Sequence, residues 1–332
     1  MKKKFRLFTL VIFLFGCHND QAQQIPMKIV AHRGASGYLP EHTLAAAAMA
    51  FGLGVDYIEP DLVMTKDDQL VVLHDIHIDT TTNVKEVFPN RKRKDNRYYA
   101  IDFTFKELQQ LKVQERIDLT TGQMVFPRRF PLHLSNFQIP HFSEFIELIQ
   151  GLNHSTGREV KIIPEIKSPE FHQQEGKDIA KKILDVLRSY GYENNNQAII
   201  QCFYPPTLLR LKNEFQTNIP LLQLIADDSW AESTVKYAPM LTDEGLKNIA
   251  TYAQYLGPWL PQLVSLKNQK DQKIISNGVV AKAQKLGLKV YAYTHRVDAL
   301  PEFFKTNEEF LSFLKNDLKL DGLFSDFPNL AK

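Results

Sequence analysis

Seven side chains in four short segments carry the chemistry open to this sequence. Glu59-Pro60-Asp61 and His74-Asp75 lie at the two ends of the run YIEPDLVMTKDDQLVVLHD, in which two apolar stretches flank the polar Lys66-Asp67-Asp68-Gln69. That pattern predicts a β-hairpin. With Thr65 facing Leu70, Asp61 falls opposite His74, and Glu59, two residues from Asp61, shares its face. Both carboxylates sit among Ile58, Leu62 and Val63, where an ionised group is costly unless it is paired or metal-bound. His32-Arg33-Gly34 and Pro164-Glu165-Ile166-Lys167 stand at the ends of two further apolar runs. Glu59, Asp61 and Glu165 are hard oxygen ligands suited to one divalent cation, Ca²⁺ or Mg²⁺, whereas the Cys/His spacing of structural zinc is absent. Arg33 and Lys167 place fixed positive charge beside such an ion, which neutralises the non-bridging oxygens of a phosphate in the transition state. His32 and His74, with ordinary pKa values near ~6.5, supply a base and an acid. The inventory predicts phosphoryl chemistry.

Either histidine alone is more often a hydrogen-bonded structural residue; their occurrence with carboxylates at strand ends favours catalysis. Other candidates are weaker. Thr294-His295-Arg296 ends an apolar strand and serves equally well as a cap, and Asp326 after Ser325 reads as a turn cap. Phe203 could face the apolar part of a ligand, although core packing is the commoner fate of such a residue. Cys202 lies in an apolar run with no histidine partner in sequence, which argues against a thiol nucleophile. No Gly-x-Ser-x-Gly turn, Gly-x-Gly-x-x-Gly or Walker loop occurs, so hydride transfer and nucleotide hydrolysis lack support.

The elements that must position these residues follow from the alternation of short β-rich runs with helical patterns, the signature of βα units around a parallel sheet. Eight strands are predicted, at 27–32, 57–61, 160–165, 198–202, 221–225, 255–257, 289–293 and 322–325, with helices at 43–51, 174–189, 206–215, 243–255, 276–286 and 308–316. Eight is the number of a closed (β/α)₈ TIM barrel, which takes about 250 residues and keeps its chemistry at the C-terminal strand ends. The segment at about 76–158 breaks the rhythm with polar residues and Phe-Pro turns, and is read as an insertion after the His74-Asp75 strand, with helical patches at 104–112 and 143–150. Its basic cluster, Arg91-Lys92-Arg93-Lys94, reads as a solvated loop rather than a polyanion site.

Composition sets the frame: 332 residues, 44% hydrophobic and 23% charged, are ordinary for a globular chain. A formal charge of +2, from 40 basic and 38 acidic residues, does not point to nucleic acid as a partner. Lys2, Lys3, Lys4 and Arg6 are four of those positive charges, and without them the +2 becomes −2. They precede an apolar run, LFTLVIFLF at 7–15, too short for a membrane span of about 20 residues and suited to a signal peptide. Residues 1–24 are read as that signal, with the barrel at 25–332, and the protein as exported. Two cleavage readings stand side by side: a plain cut before Ile25, or a lipoprotein cut before Cys17 that would leave a lipid anchor in the membrane.

At these same residues the chain resembles the glycerophosphodiester phosphodiesterase family. The family's HRG strand end, PENT, E-x-D, HD and PEIK-like strand read here as His32-Arg33-Gly34, Pro40-Glu41-His42-Thr43, Glu59-Pro60-Asp61, His74-Asp75 and Pro164-Glu165-Ile166-Lys167. It resembles the bacterial periplasmic branch most, through segments at 97–104, 151–157 and 172–180. The resemblance implies a distorted barrel with an insertion after the HD strand, and Ca²⁺ held by Glu59, Asp61 and Glu165. It further implies His32 and His74 as acid and base, and Arg33 and Lys167 on the phosphate. The substrates implied are deacylated phospholipids such as glycerophosphocholine and glycerophosphoethanolamine, cut to sn-glycerol 3-phosphate and an alcohol. His42 departs from the family's usual Asn, and is expected to alter a hydrogen bond near the first helix rather than the chemistry. Two other readings stand beside this one: a barrel phospholipase acting on intact lipid, and a non-catalytic surface lipoprotein. Barrel enzymes often pair, so a homodimer is an open alternative to the monomer.

Overall fold

The computed structural model describes residues 26–267 and 273–332. The signal-peptide reading of 1–24 and Cys17 lie outside the described residues. Among the described residues thirteen strands form in chain order: β1 Lys28–Ala31, β2 Tyr57–Ile58, β3 Asp61–Met64, β4 Leu70–Val72, β5 Lys161–Ile162, β6 Glu165–Ile166, β7 Ile200–Cys202, β8 Leu221–Ile225, β9 Tyr255–Pro258, β10 Val264–Leu266, β11 Ile274–Ser276, β12 Lys289–His295 and β13 Gly322–Ser325. Eleven belong to one sheet, in the order β4-β3-β6-β7-β8-β9-β12-β13-β1-β2-β5, and β10 with β11 makes a separate hairpin. Every pair in the large sheet is parallel except the β3–β4 hairpin. A parallel bridge from Ile162, at the β5 end, to Ala198, just before β7, curls the sheet into a ring.

Two of the eight predicted strands are broken, and each break contains a proline. Glu59-Pro60 separates β2 from β3, and Ile163-Pro164 separates β5 from β6. Proline has no N–H to give to the ladder, so a strand bends or ends where it occurs. The bend moves β3 and β6 to a new register in which Asp61 and Glu165 are direct partners and Glu165 is paired with Gln201. Three polar side chains on neighbouring strands therefore project from one rim.

The hairpin register differs from expectation by one residue. Leu62, Val63 and Met64 pair with Val72, Val71 and Leu70, and Leu73 N–H bonds Asp61 C=O, so Leu73 and not His74 lies opposite Asp61. The turn closes through three residues rather than four: Thr65 N–H bonds Gln69 C=O, and Asp68 takes φ +60°. Asp tolerates the left-handed conformation because its short polar side chain bonds locally, which makes the tighter turn accessible. His74 then sits just beyond β4, where the chain leaves the ladder.

Inside the ring Val30, Tyr57, Ile163, Ile199, Leu222, Tyr255 and Tyr291 form a packed plug. Gly322 is required there, since a Cβ on it would lie 2.6 Å from the Tyr291 ring. The larger core lies between strands and outer helices. A third apolar cluster, from Ile78, Val84, Tyr98, Phe103, Leu108, Leu111, Val113 and Ile139, packs on Val63, Val71 and Leu73 of the hairpin. It gives the segment after β4 its own core. The helix Phe142–Thr156, expected within the insertion, instead buries Phe142, Phe145, Ile146 and Ile149 in the main core, so it belongs to the barrel's outer layer. The predicted helix at 174–189 is two helices, Pro169–Gln174 and Ile179–Ser189, separated at Gly176, whose φ is +76°. The two arginines of the basic cluster are paired locally, Arg91 with Glu107 and Arg93 with Asp102 and Glu175, while Lys92 and Lys94 are exposed.

Candidate active site

Glu59, Asp61 and Glu165 come together at the rim, each offering an oxygen within 4.8 Å of the others. All three are buried. Removing a carboxylate from water costs several kcal/mol even after relaxation, so the local partners decide whether this cluster can stay ionised. Glu59 accepts from Arg33 N–H at 2.7 Å and from Gln201 Nε2 at 3.1 Å. Asp61 Oδ2 lies 2.7 Å from His42 Nε2 and 3.5 Å from Arg33 Nε. Glu165 is 2.7 Å from Lys167 Nζ.

These partners are too few. Burial, then the charges of Asp61 and Glu165, push the Glu59 carboxyl well above the usual carboxylate range. Burial and the Asp61 charge do the same to Glu165 despite Lys167. Burial would also raise Asp61, but His74, His42 and Lys167 outweigh it and hold that carboxyl well below its ordinary value. Asp61 Oδ1 is buried without a hydrogen-bond partner. An all-oxygen cluster with an orphaned oxygen and surplus negative charge fits a hard divalent cation.

Both expected histidines face the same rim, each backed by a carboxylate. His32 Nδ1 lies 2.6 Å from Asp326 Oδ1, and His74 Nδ1 bonds Asp75 Oδ1. Such a bond fixes the tautomer and leaves Nε2 for the ligand side. Lys167 Nζ donates to His74 Nε2 at 3.3 Å. Burial and the neighbouring Arg33 lower His32 to about 4 even though Asp326 opposes them. Burial, Arg33 and Lys167 likewise lower His74. Arg33 takes φ +57° as the chain turns away from β1, and Gly34 follows at +80°. A Cβ on Gly34 would lie 2.8 Å from the Ala46 carbonyl carbon, so the HRG turn packs against the helix Leu44–Gly52 only with glycine there.

Two cavities flank the His32–His74 line. One, about 420 Å³, is walled by Phe203, Trp230, Trp259 and Tyr293, with Glu59, Glu165 and Glu232 also lining it. Trp230 and Trp259 meet edge to face with centroids 4.8 Å apart. Phe203 thus lines a cavity as well as touching the core. The other, about 230 Å³, is bordered by Arg33, Arg116, Arg129 and Arg296.

Every site residue expected from the sequence, namely His32, His74, Arg33, Lys167, Phe203, Glu59, Asp61 and Glu165, is brought to this rim. Several others were missed. Asp326, read as a cap, is the partner of His32. Glu41 sits between Arg33 and Arg116 at 3.1 and 2.6 Å. Arg116 and Arg129 come from the segment after β4, where no spacing rule could have found them. His42 reaches Asp61 itself, closer to the carboxylate cluster than its place before the first helix suggested. His295 is structural, bonding Ser325 and Asn307, while its neighbour Arg296 donates to Asp326 at 2.8 Å. Cys202 is buried, and burial pushes its thiol up to about 12, which removes it as a nucleophile.

Comparison with known proteins places this arrangement. The glycerophosphoryl diester phosphodiesterase family model matches residues 32–330. The chain is 42% identical to the glycerophosphodiester phosphodiesterase of Haemophilus influenzae, covering 95% of this chain and 93% of that protein. It is 35% identical to that of Treponema pallidum, over 95% and 92%. Among solved structures it is similar to a Silicibacter pomeroyi glycerophosphoryl diester phosphodiesterase, with TM-score 0.70 and 20% identity, over 92% and 91% of the two chains. It is also similar to an Oleispira antarctica phosphodiesterase solved with its product sn-glycerol-3-phosphate, with TM-score 0.62 and 18% identity, over 92% and 95%. A family match spanning nearly every described residue, on a curled parallel sheet that gathers the HRG, E-x-D, HD and PEIK segments at one rim, shows that the chain belongs to the glycerophosphoryl diester phosphodiesterase family.

Proposed function

We propose that this protein hydrolyses glycerophosphodiesters, among them glycerophosphocholine and glycerophosphoethanolamine, to sn-glycerol 3-phosphate and the head-group alcohol. The observation that carries this reading is the pairing of two carboxylate-backed imidazoles with a buried three-carboxylate cluster at one cavity. It is supported by the activity named for the Haemophilus and Treponema relatives and by the product bound in the Oleispira neighbour. Glu59, Asp61 and Glu165 would hold one divalent cation, Ca²⁺ in preference to Mg²⁺. That ion supplies charge neutralisation and orientation of the substrate oxygens.

Arg33 and Lys167 face the phosphate. Arg33 is oriented by Glu41 and Asp61, and Lys167 by Glu165. His32 is neutral at pH 7, since its pKa is lowered to about 4, and acts as base through Nε2. The attacking hydroxyl, from the neighbouring glycerol carbon or from water, gives His32 its proton as its oxygen bonds phosphorus. The bond from phosphorus to the head-group oxygen breaks, and that oxygen takes a proton from His74; where the glycerol hydroxyl attacks, the product of this step is a cyclic phosphate, which water then opens by giving its proton to His74 as it bonds phosphorus, while the released glycerol oxygen takes back the proton held by His32. Bound diester carries the negative charge that offsets Arg33 and Lys167, so His74 gains its proton when substrate is present. Phe203 and the other aromatic rings offer faces to the carbon skeleton, and with Glu232 they suit a cationic head group.

The protein is proposed to be exported to the periplasm, with 1–24 as its signal, and the barrel unit to span 25–332. No helix of the described residues is long and apolar enough to cross a membrane. The test is incubation of the protein with glycerophosphocholine and Ca²⁺, with and without EDTA, and dehydrogenase-coupled detection of sn-glycerol 3-phosphate. Release abolished by EDTA and restored by Ca²⁺ is expected. No release with any divalent cation, together with cleavage of micellar phosphatidylcholine, would replace this reading by the phospholipase one. His42→Ala is expected to weaken Ca²⁺ binding about 10–100-fold, the usual effect of losing a group that orients a ligand carboxylate. Calorimetric titration reads it directly, and unchanged affinity would take His42 out of the cation site.

A further inference from the structure

The segment after β4 lies outside the barrel, yet it sends two arginines into the rim, and each ends on the carboxylate behind one of the histidines. Arg129 Nη2 donates to Asp326 Oδ2 at 2.7 Å, while Asp326 Oδ1 holds His32 Nδ1. Arg116 Nη1 donates to Asp75 Oδ2 at 2.5 Å, while Asp75 Oδ1 holds His74 Nδ1. In both triads the aspartate uses one oxygen for the imidazole and the other for the guanidinium.

Neither arginine is free to move. Arg129 is buried, pairs also with Asp298 at 2.9 Å, and lies 3.6 Å over the Phe126 ring centroid. Arg116 is bonded to Glu41 at 2.6 Å, and Glu41 in turn holds Arg33. A carboxylate anchored at both oxygens cannot rotate away from its imidazole. With a guanidinium beside it, it also stays ionised and does not compete for the histidine's proton.

We propose that Arg116 and Arg129 are positioning residues, through which the off-barrel segment holds both members of the acid–base pair in working orientation. The proposal rests on the reading of His32 and His74 as proton-transfer groups. It assigns to the segment after β4 a part in the chemical step in addition to any covering of the cavity.

The test uses Arg116→Gln, Arg129→Gln and the corresponding Lys variants, each alone and in a His74→Ala background. Two substrates are compared: glycerophosphocholine, whose alkoxide leaving group needs a proton, and the p-nitrophenyl ester of glycerol phosphate, whose phenolate does not. Each Gln variant is expected to lower kcat on glycerophosphocholine about 10–100-fold with KM changed little, and each Lys variant to restore part of the loss. Arg116→Gln should lose much less kcat on the p-nitrophenyl ester than on glycerophosphocholine, because its larger effect runs through the acid, whereas Arg129→Gln should lose as much on one substrate as on the other. In the His74→Ala background Arg116→Gln should add nothing, since both changes disable one unit. Equal kcat losses on both substrates from both variants, additive with His74→Ala, would overturn the proposal, as would kcat within twofold of wild type. Failure of the underlying reading shows differently: the unaltered protein would then release no sn-glycerol 3-phosphate.

Discussion

His32→Ala and His74→Ala are each expected to lower kcat on glycerophosphocholine about 10²–10⁴-fold, the range for removal of a general acid or base, without unfolding the protein. The second half of that expectation comes from what each histidine leaves behind. Without His32, Asp326 stays buried but keeps Arg129 at 2.7 Å and Arg296 at 2.8 Å. Without His74, Asp75 keeps Arg116 and Thr80. No anion is stranded, so the stability cost is that of one hydrogen bond, about 1 kcal/mol, or about 1–2 °C in Tm for a chain of this length. The measurement pairs steady-state kinetics with thermal unfolding. Near-normal turnover in either variant would remove that histidine from the reaction. A Tm drop of tens of degrees would mean that the aspartate depends on its imidazole and that the arginines do not compensate.

The composition of the site was legible in the sequence because its residue types are rare inside apolar runs. A carboxylate between Ile58 and Leu62 needs a reason, and so does Glu165 after Ile163 and Pro164. What the sequence could not supply was the geometry joining them. The expectation of Asp61 opposite His74 assumed a four-residue turn; the three-residue turn with left-handed Asp68 shifts the pairing by one. Asp61 meets Glu165 instead, because Pro60 and Pro164 break two strands at matching positions. The prolines were visible, but not their joint effect on register. Eight strands and a parallel ring were readable from periodicity alone. The helix Phe142–Thr156 was credited to the insertion because polar sequence precedes it, although its own Phe142, Phe145, Ile146 and Ile149 spacing is that of a helix facing a large core. Arg116, Arg129 and Asp326 stayed hidden for a different reason: an arginine in an irregular segment and an aspartate at a strand end carry no periodic signal, and only the fold brings Arg129 within 3 Å of Asp326 and Arg116 within 3 Å of Asp75.

The carboxylate cluster makes a stronger prediction, since function and stability should respond to it in opposite directions. Glu59→Gln keeps the side chain's shape and removes one of three crowded charges. Cation binding, and with it several kcal/mol of transition-state stabilisation, should be lost at low Ca²⁺; at about 1.36 kcal/mol per decade, turnover falls roughly 10²–10³-fold or more. In EDTA the same variant should melt above wild type. Its amide oxygen still accepts from Arg33 N–H, and its NH₂ meets the amide of Gln201, whose Oε1 has no partner in the native site and becomes the acceptor if that amide turns over. The pH dependence fixes the sign. In the cation-free native state Glu59 is pushed well above the usual carboxylate range by burial, Asp61 and Glu165, so it binds a proton that the unfolded chain has released. Stability follows the protons bound in the unfolded minus the native state, and here that difference is negative. Wild type therefore loses stability as pH rises from the ordinary glutamate range through the raised native value, whereas Glu59→Gln loses less over the same window. Ca²⁺ reverses the order, because wild type gains about 2.7 kcal/mol at a hundredfold excess over Kd and the variant gains little. Scanning calorimetry between pH 5 and 8, with EDTA and with Ca²⁺, reads all of this; a variant that melts below wild type in EDTA would mean that Glu59 is held by its hydrogen bonds and not strained by its neighbours' charge.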